Sequence, residues 1–150
     1  MSMADVSENN LLKLIFTNTT WAGVGDATGL VGSTAAGSLY VALHTADPGE
    51  AGTQATSEAT YTGYARVAVV RTTGGWTISG TAPTQAANAA TITFPTCTAG
   101  SNTITYFSVG KTSSGATDII VSGVLTNSVA VSLGNPIATF AIGALTVTCD

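Results

Sequence analysis

The only histidine, His44, is the one side chain able to act as a general base near neutral pH, and nucleophilic hydrolysis would need it beside a serine and an orienting acid. Serines are plentiful, but no G-x-S-x-G elbow occurs. Paired carboxylates for glycoside hydrolysis would have to come from Asp47, Glu50 and Glu58, which share one segment, with Asp26 and Asp118 far from it. The same three acids could offer oxygen ligands to calcium, but their spacing follows no calcium-loop pattern. Gly23-Val24-Gly25-Asp26-Ala27-Thr28 approaches a dinucleotide fingerprint, yet Thr28 stands where the third glycine belongs and no strand precedes it. Cys97 and Cys149 form no C-x-x-C pair, and a reduced, buried pair of thiols is the plain expectation. Asn18-Thr19-Thr20 matches a glycosylation acceptor that has meaning only on a secretory route. The expectation is therefore a non-enzyme with no catalytic residue, no cofactor and no metal.

The elements that would hold these residues are mostly strands. One segment reads as helix, at about 7–17: Ser7 can cap, Glu8 suits the first turn, and Leu11, Leu12, Ile15 and Phe16 recur at helical spacing. From Thr17 to Gly37, Trp21, Val24 and Leu30 are scattered among five glycines, which predicts an irregular arm. Beyond Ser38 come short β-branched and aromatic runs parted by Gly, Pro, Asn and Ser. Strands are predicted near Leu39–His44, Tyr64–Thr72, Gly75–Ser79, Ala89–Phe94, Thr103–Val109, Asp118–Leu125, Val129–Leu133 and Ile137–Thr148, the last broken at Gly143. In Thr91-Ile92-Thr93-Phe94 and Thr103-Ile104-Thr105-Tyr106-Phe107, threonine and large apolar residues alternate, so one face packs and the other meets water. The fold expectation is all-β: an antiparallel two-sheet sandwich, jelly-roll-like, at 38–150, preceded by a short N-terminal helix and Gly-rich arm at 1–37. The stretch from Thr45 to Gly63, opened by Asp47-Pro48-Gly49-Glu50, predicts a long exposed loop.

Composition narrows the function classes. Charged residues make up 8% of the 150 and apolar ones 45%, against a usual charged share of about 25%. Thr, Ser, Gly, Ala and Asn must cover the surface, and sparse charge suits surfaces that meet other protein. A net charge of -4 gives no basic field for phosphates, so direct nucleic-acid binding is not expected. Mean hydropathy is +0.38, but Thr, Ser and Gly interrupt every apolar run well short of a membrane span. Met1–Glu8 shows no basic stretch leading into an apolar one, so synthesis and folding in a cytoplasm are expected. Trp21 and Tyr61, large amphipathic rings in aperiodic segments, are candidate interface anchors. Arg66 and Arg71, half of the positive charge, are candidate partners for Glu50 or Glu58.

Three stretches carry a family resemblance: Ser7-Glu8-Asn9-Asn10-Leu11-Leu12-Lys13-Leu14-Ile15-Phe16, Leu39-Tyr40-Val41-Ala42-Leu43-His44-Thr45-Ala46-Asp47-Pro48-Gly49-Glu50-Ala51-Gly52 and Tyr61-Thr62-Gly63-Tyr64-Ala65-Arg66-Val67-Ala68-Val69. Together they resemble small virion proteins of tailed bacteriophages, often labelled tail-fibre or minor structural proteins. The resemblance covers the first half well and is general after about Gly80, where Phe107-Ser108-Val109-Gly110 is the most suggestive fragment. It implies a virion structural role without catalysis. Of the two roles it offers, the expectation is a capsid cement or decoration protein on the capsid exterior, bridging neighbouring major capsid subunits as a homo-oligomer, dimer or trimer. The alternative is a tail fibre or tail-tip component in host attachment. The expected protein-contact residues are Trp21, Val24, Leu30, Tyr61 and Tyr64, with Arg66 as a polar partner.

Overall fold

The computed structural model describes residues 3–26, 28–81, 83–135 and 137–149, so Met1, Ser2 and Ala27 of the predicted helix-and-arm segment lie outside it. One helix, α1 (Asp5–Thr17), precedes nine strands: β1 (Ser38–His44), β2 (Val67–Val70), β3 (Trp76–Ser79), β4 (Thr84–Asn88), β5 (Ile92–Thr93), β6 (Ser101–Gly110), β7 (Ile119–Ser132), β8 (Thr139–Phe140) and β9 (Thr146–Cys149). The protein is mostly β with one short helix, and the strand pairings whose registers are resolved are antiparallel. Strands divide among three sheets instead of the two expected, in the orders β2-β1-β6-β7, β3-β4-β9 and β5-β8. No described helix is long and apolar enough to cross a membrane.

The described residues pack as two compact units interleaved in sequence. Unit 1 takes Met1–Ser38, Val70–Thr91 and Phe140–Asp150; unit 2 takes Leu39–Val69 and Ile92–Thr139. In unit 1 a helix does what the second sheet of a sandwich would do. Leu12 and Phe16, four residues apart on one helical face, are buried as α1 packs on β3 and β4, and Phe16 meets Trp76 edge to face with ring centroids 4.8 Å apart. Trp76 pairs Asn88 across β3 and β4, so Ala86, two residues from Asn88 and wholly buried, shares the face that meets Phe16, and its small side chain admits the helix closely. The helix starts earlier than predicted, with Ala4 rather than Ser7 at the cap, since nothing in Ala4-Asp5-Val6 resists helix and Asp5 adds a second acid to the first turn. Asn18 ends it in the left-handed region at φ 56°, donating its N–H to the Lys13 carbonyl.

Unit 2 is organised by β6, which pairs β1 from Tyr40↔Gly110 to His44↔Tyr106 and β7 on its other side. Val41, Leu43, Ile104, Phe107 and Val109 are buried there. The two strands predicted at Asp118–Leu125 and Val129–Leu133 are one 14-residue strand, β7, interrupted by a register shift: Ile104 pairs Val129 but Tyr106 pairs Val124. The predicted loop at 45–63 carries no strand and is mostly exposed, but it is also stitched down. Thr45 N–H bonds the Ser57 carbonyl, Ala59 N–H that of Leu43, and the Thr60 and Tyr61 N–H groups both bond Asn102 Oδ1.

Candidate functional site

His44 stands at the end of β1, and its Nε2 lies 2.8 Å from Ser108 Oγ on the neighbouring β6, the contact a hydrolase would use. Its Nδ1 lies 2.8 Å from the Thr56 carbonyl, which only accepts, so Nδ1 carries the proton and Ser108 donates to Nε2. Burial holds the imidazole below its ordinary pKa, against the opposing pull of the Thr56 carbonyl and Glu58. Both side chains are wholly buried, and a backbone carbonyl stands where the orienting carboxylate would be. The pair ties β1, β6 and the 45–63 segment together.

Arg66 organises the same region. Its Nε and Nη2 donate to Glu58 Oε1 and Oε2 at 2.7 and 2.8 Å, its Nη1 to Gln54 Oε1 and the Thr112 carbonyl at 3.2 Å each, and its Nη2 also to the Gly115 carbonyl at 2.8 Å. The guanidinium fork thus matches a carboxylate bidentately and spends its remaining hydrogens on Gln54 and the 111–118 turn. Glu58 holds the Arg66 pKa up. Tyr64 donates its hydroxyl to Glu58 Oε1 and accepts the Leu43 N–H, and burial pushes its phenol far up. Gln54 completes the cluster, donating Nε2 to the Tyr40 carbonyl at 2.9 Å and accepting from Thr117. It lies so close to Gly110 that a Cβ there would come 2.1 Å from its Cδ, so any side chain at this strand position would push the Gln54 amide out of the cluster. Glu58 is therefore committed, while Asp47 accepts the Gly49 N–H in its own turn. The described residues offer no cluster of three or more His, Cys, Asp or Glu suited to a metal.

The predicted contact residues fall into two groups. Tyr61 is buried, its ring 5.4 Å from that of Tyr64 and its hydroxyl donating to the Pro95 carbonyl. Tyr64 stacks on Phe94 at 6.2 Å. With Arg66, both are internal supports of unit 2. Trp21, Val24 and Leu30 belong to the arm, which carries a hairpin: Trp21 and Leu30 exchange both N–H···O bonds at 2.9 Å, setting their side chains on one face. Asp26 shapes the connection, accepting the Thr28 hydroxyl and the N–H groups of Thr28 and Gly29, and these bonds hold its carboxyl below the usual range. Leu30 and its neighbour Val31 are 43% and 63% exposed, and Trp21 and Val24 are half-buried. Arg71, which sequence offered as a partner for Glu50 or Glu58, instead anchors this arm. It donates to the Leu14 and Ile15 carbonyls at the helix C-terminus, where a cation offsets the negative end of the dipole, and to Ser33 Oγ in the arm.

A family model described as podophage GP4 fiber I protein gp80 matches residues 2–148. The chain belongs to that family. No curated protein matches the sequence. The match extends past Gly80, where the resemblance was general, and it makes the gp80-family chain a small tailed-phage virion protein of fibre type.

Sequence reasoning missed two sets of residues in this gp80-family chain. One is the Gln54, Thr112, Gly115 and Thr117 group around Arg66; an arginine three residues beyond the 45–63 segment was the only signal. The other is Asn88, fully buried in unit 1. It donates to the Ala90 and Ala141 carbonyls, and its Oδ1 accepts the Leu145 N–H. Cys97 is buried and Cys149 half-buried, both as free thiols.

Proposed function

We propose that the chain is a fibre-type structural component of a tailed-phage virion that works by presenting protein surface rather than by catalysis, and that it takes part in host attachment. The family match over residues 2–148 carries this reading, because the matching description names a fibre protein. The structure supports a surface role in two ways. The polar side chains that could have done chemistry, His44, Ser108, Glu58 and Arg66, are spent on holding unit 2 rigid. The hydrophobic residues left outward include an arm hairpin preorganised by Asp26, Asn18 and Arg71, and preordering lowers the entropic cost of docking.

The capsid cement role bridging major capsid subunits is the second reading. The observation in its favour is that same hairpin, with Leu30 and Val31 exposed on an arm of low charge, a form suited to lying across a neighbouring subunit. In either role avidity from many copies would multiply a modest single contact, and homo-oligomerisation as a dimer or trimer is part of the proposal. Gold-labelled antibody against the chain separates the two. Label at the tail, together with blocked adsorption, is expected; label spread over the shell with adsorption intact would transfer the assignment to cement.

A further inference from the structure

Unit 1 contains a cavity of about 310 Å³ beside the C-terminal half of α1, at the small end of the range for ligand pockets. Lys13 and Thr17 contribute from one helical face, Thr19 from just past the cap, and Thr73, Trp76 and Thr77 from β3 and the turn before it. The hydrogen-bonding capacity of this lining is uneven. Thr17 donates its hydroxyl to the Lys13 carbonyl, so Thr19, 2.9 Å away, donates to Thr17, and both keep lone pairs as acceptors. The Thr73 and Thr77 hydroxyls make no side-chain hydrogen bond among the described residues, and Lys13 forms no ion pair there. Trp76 is wholly buried, yet its Nε1–H, a donor with no alternative role, has no partner among the described residues. No carboxylate lines the cavity. The negative end of the α1 dipole, which would repel an anion, is offset by the Arg71 guanidinium on the Leu14 and Ile15 carbonyls.

Unused donors with one unpaired ammonium call for an oxyanion, the neighbouring acceptors call for hydroxyl groups, and the indole and Ile78 supply an apolar wall. We propose that this cavity binds a compact acidic sugar, one ring carrying a carboxylate or a phosphate, with Lys13 on the charge and Thr73 and Thr77 on the ring or the anion. The inference stands on unit 1 alone and holds whether the chain sits in a fibre or on a shell.

Isothermal titration calorimetry of the whole chain tests it, with glucuronate, glucose 6-phosphate, glucose and inorganic phosphate as probes. At least one of the two acids is expected to bind saturably, about tenfold or more tighter than glucose, as one charge-assisted contact requires. Which acid binds distinguishes carboxylate from phosphate. Lys13→Met is expected to weaken that binding about tenfold and Thr77→Val severalfold, both variants melting as the parent does; Thr77 is exposed, so its variant keeps the test valid if the Lys13 variant is poorly folded. The proposal is overturned if neither acid saturates, if glucose binds as well as its acids, if inorganic phosphate alone matches glucose 6-phosphate, or if both folded variants bind like the parent.

Discussion

Removing the Arg66 side chain in an Arg66→Ala variant leaves Glu58, whose side chain is 18% accessible against 2% for the arginine, with only the Tyr64 hydroxyl bonded to its carboxylate among the described residues. It also strips one donor from Gln54 Oε1 and from the Thr112 and Gly115 carbonyls. Breaking a buried ion pair on one side costs about 3–5 kcal/mol, because a desolvated charge is left without its counter-charge. For a chain of this length each kcal/mol moves the melting temperature by about 2–4 °C, so the expected fall is about 6–20 °C. Lys111→Ala supplies the control. It breaks the Lys111–Asp118 pair, whose side chains are 54% and 77% accessible, and an exposed pair is worth at most about 1 kcal/mol. Arg66→Lys keeps the charge but loses the fork and falls between the two. Differential scanning calorimetry of the three variants decides the matter. An Arg66→Ala shift no larger than that of Lys111→Ala would refute the claim that this cluster, rather than apolar packing alone, holds the 45–63 segment in place.

Three further outcomes follow from the same geometry. Because burial depresses the folded-state pKa of His44, the unfolded chain binds its proton more readily. Stability is therefore full above about pH 6.5 and declines as pH falls below it, by at most about 1.4 kcal/mol per pH unit, until the folded value is reached. Urea unfolding between pH 7 and 5 measures this, and a flat profile would contradict a neutral buried imidazole. Asn88→Ala strands the Leu145 N–H and two carbonyls and should cost about 3 kcal/mol by the same unfolding assay, with a cost under about 1 kcal/mol counting against its role as the knot of unit 1. Gly29→Ala places a Cβ 2.1 Å from the Trp21 carbonyl oxygen at a residue with φ +71° and should open the arm hairpin. Limited proteolysis would then cut within 18–37 while the β-sheet circular dichroism persists; cleavage no faster than in the parent would count against a hairpin that depends on this glycine.

Legibility in the sequence tracked how locally each feature is determined. β1 and β6 were readable because apolar and β-branched residues run on between turn formers, and α1 because Leu12 and Phe16 recur at helical spacing. β4 was not: Thr84-Gln85-Ala86-Ala87-Asn88 has weak strand preference and is a strand because it is paired on both sides, by β3 and β9, with small residues under the helix. Tyr61 looked like a surface anchor because its segment has no period. It is held inside by Asn102 and the Pro95 carbonyl, contacts tens of residues away that no local pattern records. The arm kept its irregular character, but its order rests on Arg71, which sequence offered to an acid and the structure gives to helix carbonyls. For the contact surface, Trp21, Val24 and Leu30 were nominated by aperiodicity, and the Trp21–Leu30 pairing that unites them is visible only in the folded arm.

The most direct test of the central claim is a cryo-EM reconstruction of the intact virion into which the two compact units are fitted. Copies at the tail in the symmetry of its fibres are the predicted result. Copies repeated over the capsid lattice, with none at the tail, would contradict the fibre assignment.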